Sequence, residues 1–430
     1  MHMLSINRIR NSKEKVIEGL KKRGWNDDQL LILNKIVELD DYRKKVQTQN
    51  DQLLSERNRL SKEIGQLYKD GKRDEADAAK KNVEALKEDI SANEKSMSDF
   101  KQSLLELLYK VPNVPHTKVP KGLSDEDNVV IKGWTGEMPQ LAEGAKAHWD
   151  LAKEYGILDF ELGVKITGAG FPVFRNQGAR LQRALINFFI DQALEQGYEE
   201  IVPPLLVNEA SGIGTGSLPD KEGQMYAIEK DALYLIPTAE VPVTNILRDE
   251  MVRPEDFPFR YVAYTQCFRR EAGSYGSDVK GLNRVHQFDK VEIVQVQHPD
   301  KSHDTLDEMV KYVEGLLQKL ELPYRILRLC GGDLTFASAL TYDFEVFSAA
   351  QKKWLEVSSV SNFEAFQANR LNLRFKDELG QRRMAHTLNG SALALARIIA
   401  ALLENNQTAE GIVIPEVLRD YTGFDIIKTK

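Results

Sequence analysis

Phe268-Arg269-Arg270-Glu271-Ala272-Gly273-Ser274-Tyr275-Gly276, answered by Arg284-Val285-His286-Gln287-Phe288-Asp289-Lys290-Val291-Glu292, reads as a hairpin with charge gathered near its turn. Tyr261 to Phe268 is aromatic and β-branched, which suits a strand. Gly273, Gly276 and Gly281 interrupt the pattern and mark a loop. Val285 to Val296 alternates apolar and polar residues, the pattern of a return strand. Arg269 and Glu271 stand two apart, so an unbroken strand points both to one face. A guanidinium beside a glycine-rich turn can grip phosphate in a fork, and a neighbouring carboxylate can accept from an amine or a base edge. The plainer reading of Arg-x-Glu is a surface ion pair.

The totals set the frame. A chain of 430 residues suits two or three domains, and 42% hydrophobic with 29% charged residues suits a soluble protein with a sizeable core. The net charge of −7 carries no nucleic-acid signal, so any RNA contact must rest on locally placed basic residues. Cys267 and Cys330 are too few for a disulfide framework and point to a reducing cytoplasm. With no Cys-x-x-Cys or His-rich cluster, no structural zinc is expected. The opening MHMLSINRIRNSKEK lacks an apolar signal region, and no stretch suits a membrane span.

Upstream of the hairpin, residues 4–23 read as a short amphipathic helix stopped by Gly24, with Asn26 or Asp27 capping the next. Leu39, Val46, Leu53, Leu60 and Leu67 then recur every seventh residue, with Ile36, Arg43, Asn50, Arg57 and Ile64 between them. After Lys69-Asp70-Gly71-Lys72-Arg73 the pattern resumes from Ala76 through Val83, Ile90, Met97 and Phe100 to Leu107. These heptads predict an antiparallel coiled-coil pair, an arm of roughly 60 Å at 1.5 Å per residue. Its charges are mixed, the ordinary surface of a solvated coiled coil. A weakly basic rod touching phosphates through selected residues is the functional alternative. Pro112, Pro115 and Pro120 end the helices and mark a linker.

Between linker and hairpin, Gly178 to Glu195 has helical spacing, and Tyr198 to Pro204 reads as a strand ending in prolines. His148 and Trp149 read as packing residues. The glycine-rich 212–219 lacks a Gly-Lys-Ser/Thr ending, so it is expected to be a mobile loop near the site, not a phosphate-binding Walker loop. Thr238-Ala239-Glu240 reads most simply as a helix cap. Beyond the hairpin, a helix is expected over 304–320 and strands over 324–329, 342–347 and 354–359. His386 to Arg397 suggests a small-residue turn leading into a helix, with Arg397 one turn in; its plain reading is a salt-bridged core helix.

The FRREAGSYG and GLNRVHQFDKVE segments resemble motif 2 of the class II aminoacyl-tRNA synthetases, in particular the seryl-tRNA synthetase family. The helix, strand and proline of 178–204 resemble motif 1, which builds a dimer. Gly390-Ser391-Ala392 through Arg397 resembles motif 3, with Ala392 where relatives often carry a second glycine. Glu356-Val357-Ser358-Ser359 is similar to the family segment lying over ATP. The helical arm is similar to one that leans on the long variable arm of serine tRNA in that family.

The resemblance implies an α+β chain: an antiparallel two-helix coiled-coil arm and a class II antiparallel sheet flanked by helices. It implies a helical domain at 1–110, a linker at 111–125 and a catalytic domain at 126–430. The implied activity is ATP-dependent conversion of L-serine to seryl-adenylate and transfer to the 3′ end of tRNA(Ser), with selenocysteine tRNA left open. Thr238, Ala239, Glu240, Glu292 and Ser391 are implied to bind serine. Arg269, Arg270, Glu271, Val285, Phe288, Glu356, Val357, Ser358, Ser359 and Arg397 are implied to bind ATP, with Glu356 holding Mg²⁺. A cytoplasmic homodimer is implied, with unspecified arm residues on the tRNA. Two other classes stand beside this one: a core acylating a carrier protein, against which the arm argues, and a non-catalytic coiled-coil protein, against which the matched polar residues argue.

Overall fold

The computed structural model describes residues 6–220, 223–271 and 280–429. The chain divides into two units, one of 2–21 and 25–112, the other chiefly 113–430. The expected linker 111–125 is thus largely part of the second unit, where the buried Asn113 side chain donates to Ala337 O and Phe363 O.

In the first unit the helix expected over 4–23 is two helices, α1 (Ile6–Asn11) and α2 (Lys13–Lys22). The arm is α3 (Asp27–Lys69) and α4 (Arg73–Leu108). Asn26 begins α3 with a capping box shared with Gln29, which satisfies two otherwise orphaned backbone donors. The pair is antiparallel: the Tyr42 and Phe100 rings stack at 6.4 Å near one end, and Tyr68 bonds Asp77 at 2.8 Å near the other. Heptad positions 39, 43, 46, 50, 53, 57, 60, 64 and 67 are all buried or half-buried, so the sequence period marks the contact seam. Asp40, 2% exposed, is held by Arg10, Arg43 and Lys44. Burial pushes its carboxyl up, but hydrogen bonds from Lys44, Arg43 and Arg10 outweigh this and bring it from 3.8 to about 2. Its stabilising contribution is therefore present above the ordinary carboxylate range and is lost as pH falls through about 2.

The second unit is built on an eight-stranded sheet. Its strands are β1 (Val129–Lys132), β2 (Glu199–Glu200), β3 (Phe259–Phe268), β4 (Gln287–Gln297), β5 (Tyr324–Arg328), β6 (Leu340–Ser348), β7 (Lys353–Glu364) and β8 (His386–Ala394). The spatial order is β1-β5-β6-β7-β8-β4-β3-β2. Every pairing is antiparallel except that of β2 with β3. Three helices cover one face: α5 (Asn176–Glu195) and the helices at Ser302–Lys319 and Leu395–Asn405. Phe188, Leu317, Ile399 and Leu402 meet Val291, Ile293, Phe344 and Val360 there, forming the main core. Each such side chain contributes about 1.5–3 kcal/mol on burial. Alternation along β4 sends Val291 and Ile293 into this core and turns Lys290 and Glu292 to the opposite face.

Three expectations change. The stretch 386–394 is a central strand, not a turn: alternation and small side chains let it run between β7 and β4, where a Cβ on Gly390 would lie 3.0 Å from Val360. The glycine-rich stretch is a loop only in its second half: Glu209–Thr215 is a helix, α6, ended by Gly216 at φ +96. Its glycines serve close packing, since a Cβ on Gly214 would stand 2.5 Å from Leu371. Finally, β3 ends at Phe268 and Glu271 sits at φ +47, so Arg269 and Glu271 do not share a strand face. The glycine-rich tip of the hairpin, 272–279, lies outside the described residues.

Candidate active site

Glu292 and Ser391 face each other because β4 and β8 pair in register at those residues. Ser391 Oγ donates to Glu292 Oε2 at 3.2 Å, and both side chains are buried. Helix α7 (Glu240–Thr244) packs on this same face through Val243, against Ala263 and Val294. It brings Thr238, Ala239 and Glu240 to the pocket. Thr238 Oγ1 accepts from the Glu240 backbone N–H at 3.2 Å, the bond that the cap reading anticipates. The same oxygen also accepts from Lys290 Nζ at 2.9 Å, so capping and lining the pocket are one arrangement.

Lys290, which the sequence reading weighed only as a structural partner for Glu292 and not as a pocket residue, lies at the centre. Its ammonium, buried, bonds Glu292 Oε2 at 2.7 Å as well as Thr238. Its signal was available, since it sits two residues from Glu292 on the alternating face. Gln367, on helix α8 (Phe366–Leu371), donates to Glu240 Oε1 at 2.6 Å. No local sequence signal marks that contact, which spans 127 positions. Burial and the nearby Glu292 raise the Glu240 carboxyl to about 7, against the hydrogen bond from Gln367, the charge of Lys290 and the hydrogen bond from Asn389. A buried and a half-buried carboxylate answered by a single ammonium leave room for a second cation.

Two arginines stand beside this pocket. Arg269 leaves β3 with its Nε donating to Pro237 O at 3.3 Å and its guanidinium 5.3 Å from the Phe288 ring centre. Arg397 lies in the first turn of the helix at Leu395–Asn405; its Nε donates to Asn283 O at 2.9 Å and its Nη1 to Glu356 O at 2.7 Å.

 The carboxylate of Glu356 lies 3.7 Å from the same guanidinium. Ser358 Oγ donates to Ser391 O at 2.6 Å, and the Val357 and Val285 side chains are buried in the core. Arg270 lies over the Tyr226 ring at 5.8 Å, and Glu271 pairs with Arg284 at 3.0 Å, so the plain ion-pair reading holds for that carboxylate.

A buried network holds the return limb of the hairpin against Arg397. His148 Nδ1 meets Glu404 Oε1 at 2.7 Å, and His148 Nε2 accepts from the Leu282 N–H at 2.8 Å. Gln351 donates to Glu404 at 2.9 Å and accepts from Asn283 at 2.8 Å. Burial pushes the Glu404 carboxyl up, but hydrogen bonds from His148 and Ser348 outweigh this and hold it below the usual range. Truncating Glu404 to alanine leaves these donors unpaired at about 1–3 kcal/mol each. Glu404→Ala is therefore expected to lower the melting temperature by several degrees, measured by thermal unfolding; an unchanged value counts against the network as a support.

Among the described residues, no group of three or more His, Cys, Asp or Glu side chains gathers as a metal site. Asp343, opposite Ser359 in the strand register and close enough to Glu356 to feel its charge, has its Oδ1 buried without a hydrogen-bond partner. Burial and the Glu356 charge hold the Asp343 carboxyl well above its usual range. Such a spot fits a hard cation that brings most of its ligands with it.

An antiparallel sheet with two arginines beside a buried carboxylate pocket is the arrangement of a class II aminoacyl-tRNA synthetase core. Residues 225–406 match the family described as tRNA synthetase class II core domain (G, H, P, S and T). Residues 3–115 match the seryl-tRNA synthetase N-terminal domain. The chain is 48% identical over 424 residues to the serine–tRNA ligase of Salinibacter ruber, covering 98% of each. It is similar to the crystal structure of seryl-tRNA synthetase from Pyrococcus horikoshii complexed with ATP, with a TM-score of 0.91, 35% identity and full coverage of both chains. It is also similar to the cytoplasmic serine–tRNA ligase from Naegleria fowleri in complex with AMP, with a TM-score of 0.86, 26% identity and coverage of 100% and 99%. The chain belongs to the seryl-tRNA synthetase family and is an aminoacyl-tRNA ligase.

Proposed function

We propose that the pocket formed by Thr238, Ala239, Glu240, Glu292 and Ser391 binds L-serine, and that the chain joins it to tRNA(Ser) in two steps. The observation that carries this reading is the convergence of the buried Glu292 carboxylate, the half-buried Glu240 carboxylate and the Thr238 and Ser391 hydroxyls in one pocket, with Arg269 just past the end of β3 and Arg397 just past the end of β8. Glu240 accepts from the substrate ammonium, and Glu292 with Ser391 meets the hydroxyl. The serine carboxylate attacks the α-phosphorus of ATP, forming the mixed anhydride and releasing pyrophosphate. It is already a nucleophile, so the protein's work is alignment and neutralisation of phosphate charge. Arg269 and Arg397 supply that charge. Phe288 offers a ring face, and the 270–271 and 356–359 segments lie along the nucleotide. The 3′-terminal hydroxyl of the tRNA then attacks the acyl carbon, and AMP leaves.

Mg²⁺ arriving on ATP would be held at Glu356, where it would supply further neutralisation of phosphate charge. A homodimer is supported by β2, which leaves one edge of the sheet open and is followed by the apolar Val202 at 88% exposure, a surface that a second copy can cover. A cytoplasmic location agrees with two unpaired cysteines, and no described helix is long and apolar enough to cross a membrane. Whether selenocysteine tRNA is a second substrate is decided by charging assays with both tRNAs.

Serine-dependent ATP–pyrophosphate exchange, run with each of the twenty amino acids, tests the reading; exchange with another amino acid in preference to serine overturns it. The arm is assigned to tRNA and not to activation. Because Tyr42 and Phe100 lie together, a short linker can replace 43–99 without straining the helix stumps. That deletion is expected to leave exchange largely intact and abolish aminoacylation. Loss of exchange in a folded core counts against this division of labour.

A further inference from the structure

We propose that Gln367 is a positioning residue of the amino-acid site, its side-chain amide fixing the Glu240 carboxylate in the orientation that receives the substrate ammonium. The proposal rests on the reading of Glu240 given above. Gln367 is 1% exposed and fully engaged. Its Nε2 donates to Glu240 Oε1 at 2.6 Å and to Thr215 O at 3.1 Å, while its Oε1 accepts from Thr387 Oγ1 at 2.7 Å. The amide has one workable orientation. Rotated by half a turn, its oxygen would face two acceptors, Glu240 and Thr215 O.

Three separate parts of the fold meet at this one side chain. Thr387 belongs to β8, Thr215 ends α6, and Gln367 comes from the helix at Phe366–Leu371. Gly214 allows α6 to lie close enough for the bond, because a Cβ there would collide with Leu371. The glycine-rich stretch thus acts on the pocket through backbone packing and the Thr215 carbonyl. The other groups that face Glu240 are Glu292 and Lys290 from β4 and Asn389 from β8. Of these, Glu292 opposes the charged form and Lys290 favours it, so a donor fixed by three further contacts is the element that sets geometry as well as charge.

Gln367→Met keeps length and removes both donors. A hydrogen bond to a charged group corresponds to about tenfold to a hundredfold in binding. The expected result in pyrophosphate exchange is a rise of that size in KM for serine, with KM for ATP within about twofold. An acid limb of kcat/KM for serine is expected where the raised Glu240 carboxyl ionises, and in Gln367→Met it is expected at higher pH than in the parent enzyme, because the charged carboxylate has lost a donor. A purely structural role lowers activity without moving that limb. Thr387→Val removes only the contact that orients the amide and is expected to shift both readouts in the same direction by less; it serves if Gln367→Met does not fold. Glu240→Gln separates the two levels of the argument. If Glu240→Gln raises KM for serine and neither of the other variants does, Gln367 has no positioning role. If Glu240→Gln also leaves KM for serine unchanged, the assignment of the ammonium to Glu240 fails first.

Discussion

Arg269→Lys is expected to lower serine-dependent pyrophosphate exchange by up to about a thousandfold, the scale of losing an oriented charge in a reaction that gains its rate from preorganised electrostatics. The positive charge survives the substitution; the planar fork does not. In the structure the guanidinium is already aimed. Its Nε donates to Pro237 O and its plane lies near Phe288, and neither contact neutralises it. A lysine ammonium cannot hold that carbonyl and present two parallel donors to phosphate at once. Serine dissociation, followed in the absence of ATP, is expected to change little, because Arg269 acts on the nucleotide. Near-normal exchange in Arg269→Lys would return this residue to the ordinary surface arginines.

Glu292→Gln is expected to reduce the preference for serine over alanine by several orders of magnitude. Serine is small, and one methylene is worth only about 1–3 kcal/mol in an apolar pocket, so alanine must be rejected through the hydroxyl. A site built around that hydroxyl leaves buried polar groups unpaired when alanine enters, at a cost on the order of 10⁴ in specificity. Glu292 is 2% exposed and accepts from Ser391 and Lys290, so the competing account, a structural pairing with Lys290, is present in the fold as a buried contact within the pocket. The burial also decides which variant is informative. Glu292→Ala strands the Lys290 ammonium, and breaking a buried pair in this way costs about 3–5 kcal/mol of stability. Glutamine keeps the shape and an acceptor oxygen while removing the charge. Exchange measured with serine and with alanine separates the accounts: serine activation falls steeply and alanine activation little if Glu292 reads the hydroxyl. A parallel fall in both sinks the assignment.

Local sequence was enough wherever a structure repeats itself over a few residues. Leu39 through Leu67 mark the seam of the arm because a helix returns to the same face every seven residues. Val285 to Val296 marks β4 because alternate residues face alternate sides, and Lys290 and Glu292 share a side by the same rule. The stretch at 386–394 was harder. Small residues suit both a turn and a strand squeezed between two others, and only its neighbours β7 and β4 select the strand. The glycines of 212–216 mislead for a related reason: glycine permits mobility, but it also permits close approach, and Leu371, 157 positions beyond Gly214, selects the second.

The arm and the hairpin strands were therefore determined by the sequence alone, since period acts through neighbours in the chain; the pocket residues were marked only by their resemblance to a family. Tertiary structure decided which of those residues meet. Ser391 reaches Glu292 across 99 positions through a strand register, and Gln367 reaches Glu240 across 127 through helix packing. Such pairings depend on how sheet and helices stack, and no local period encodes that distance.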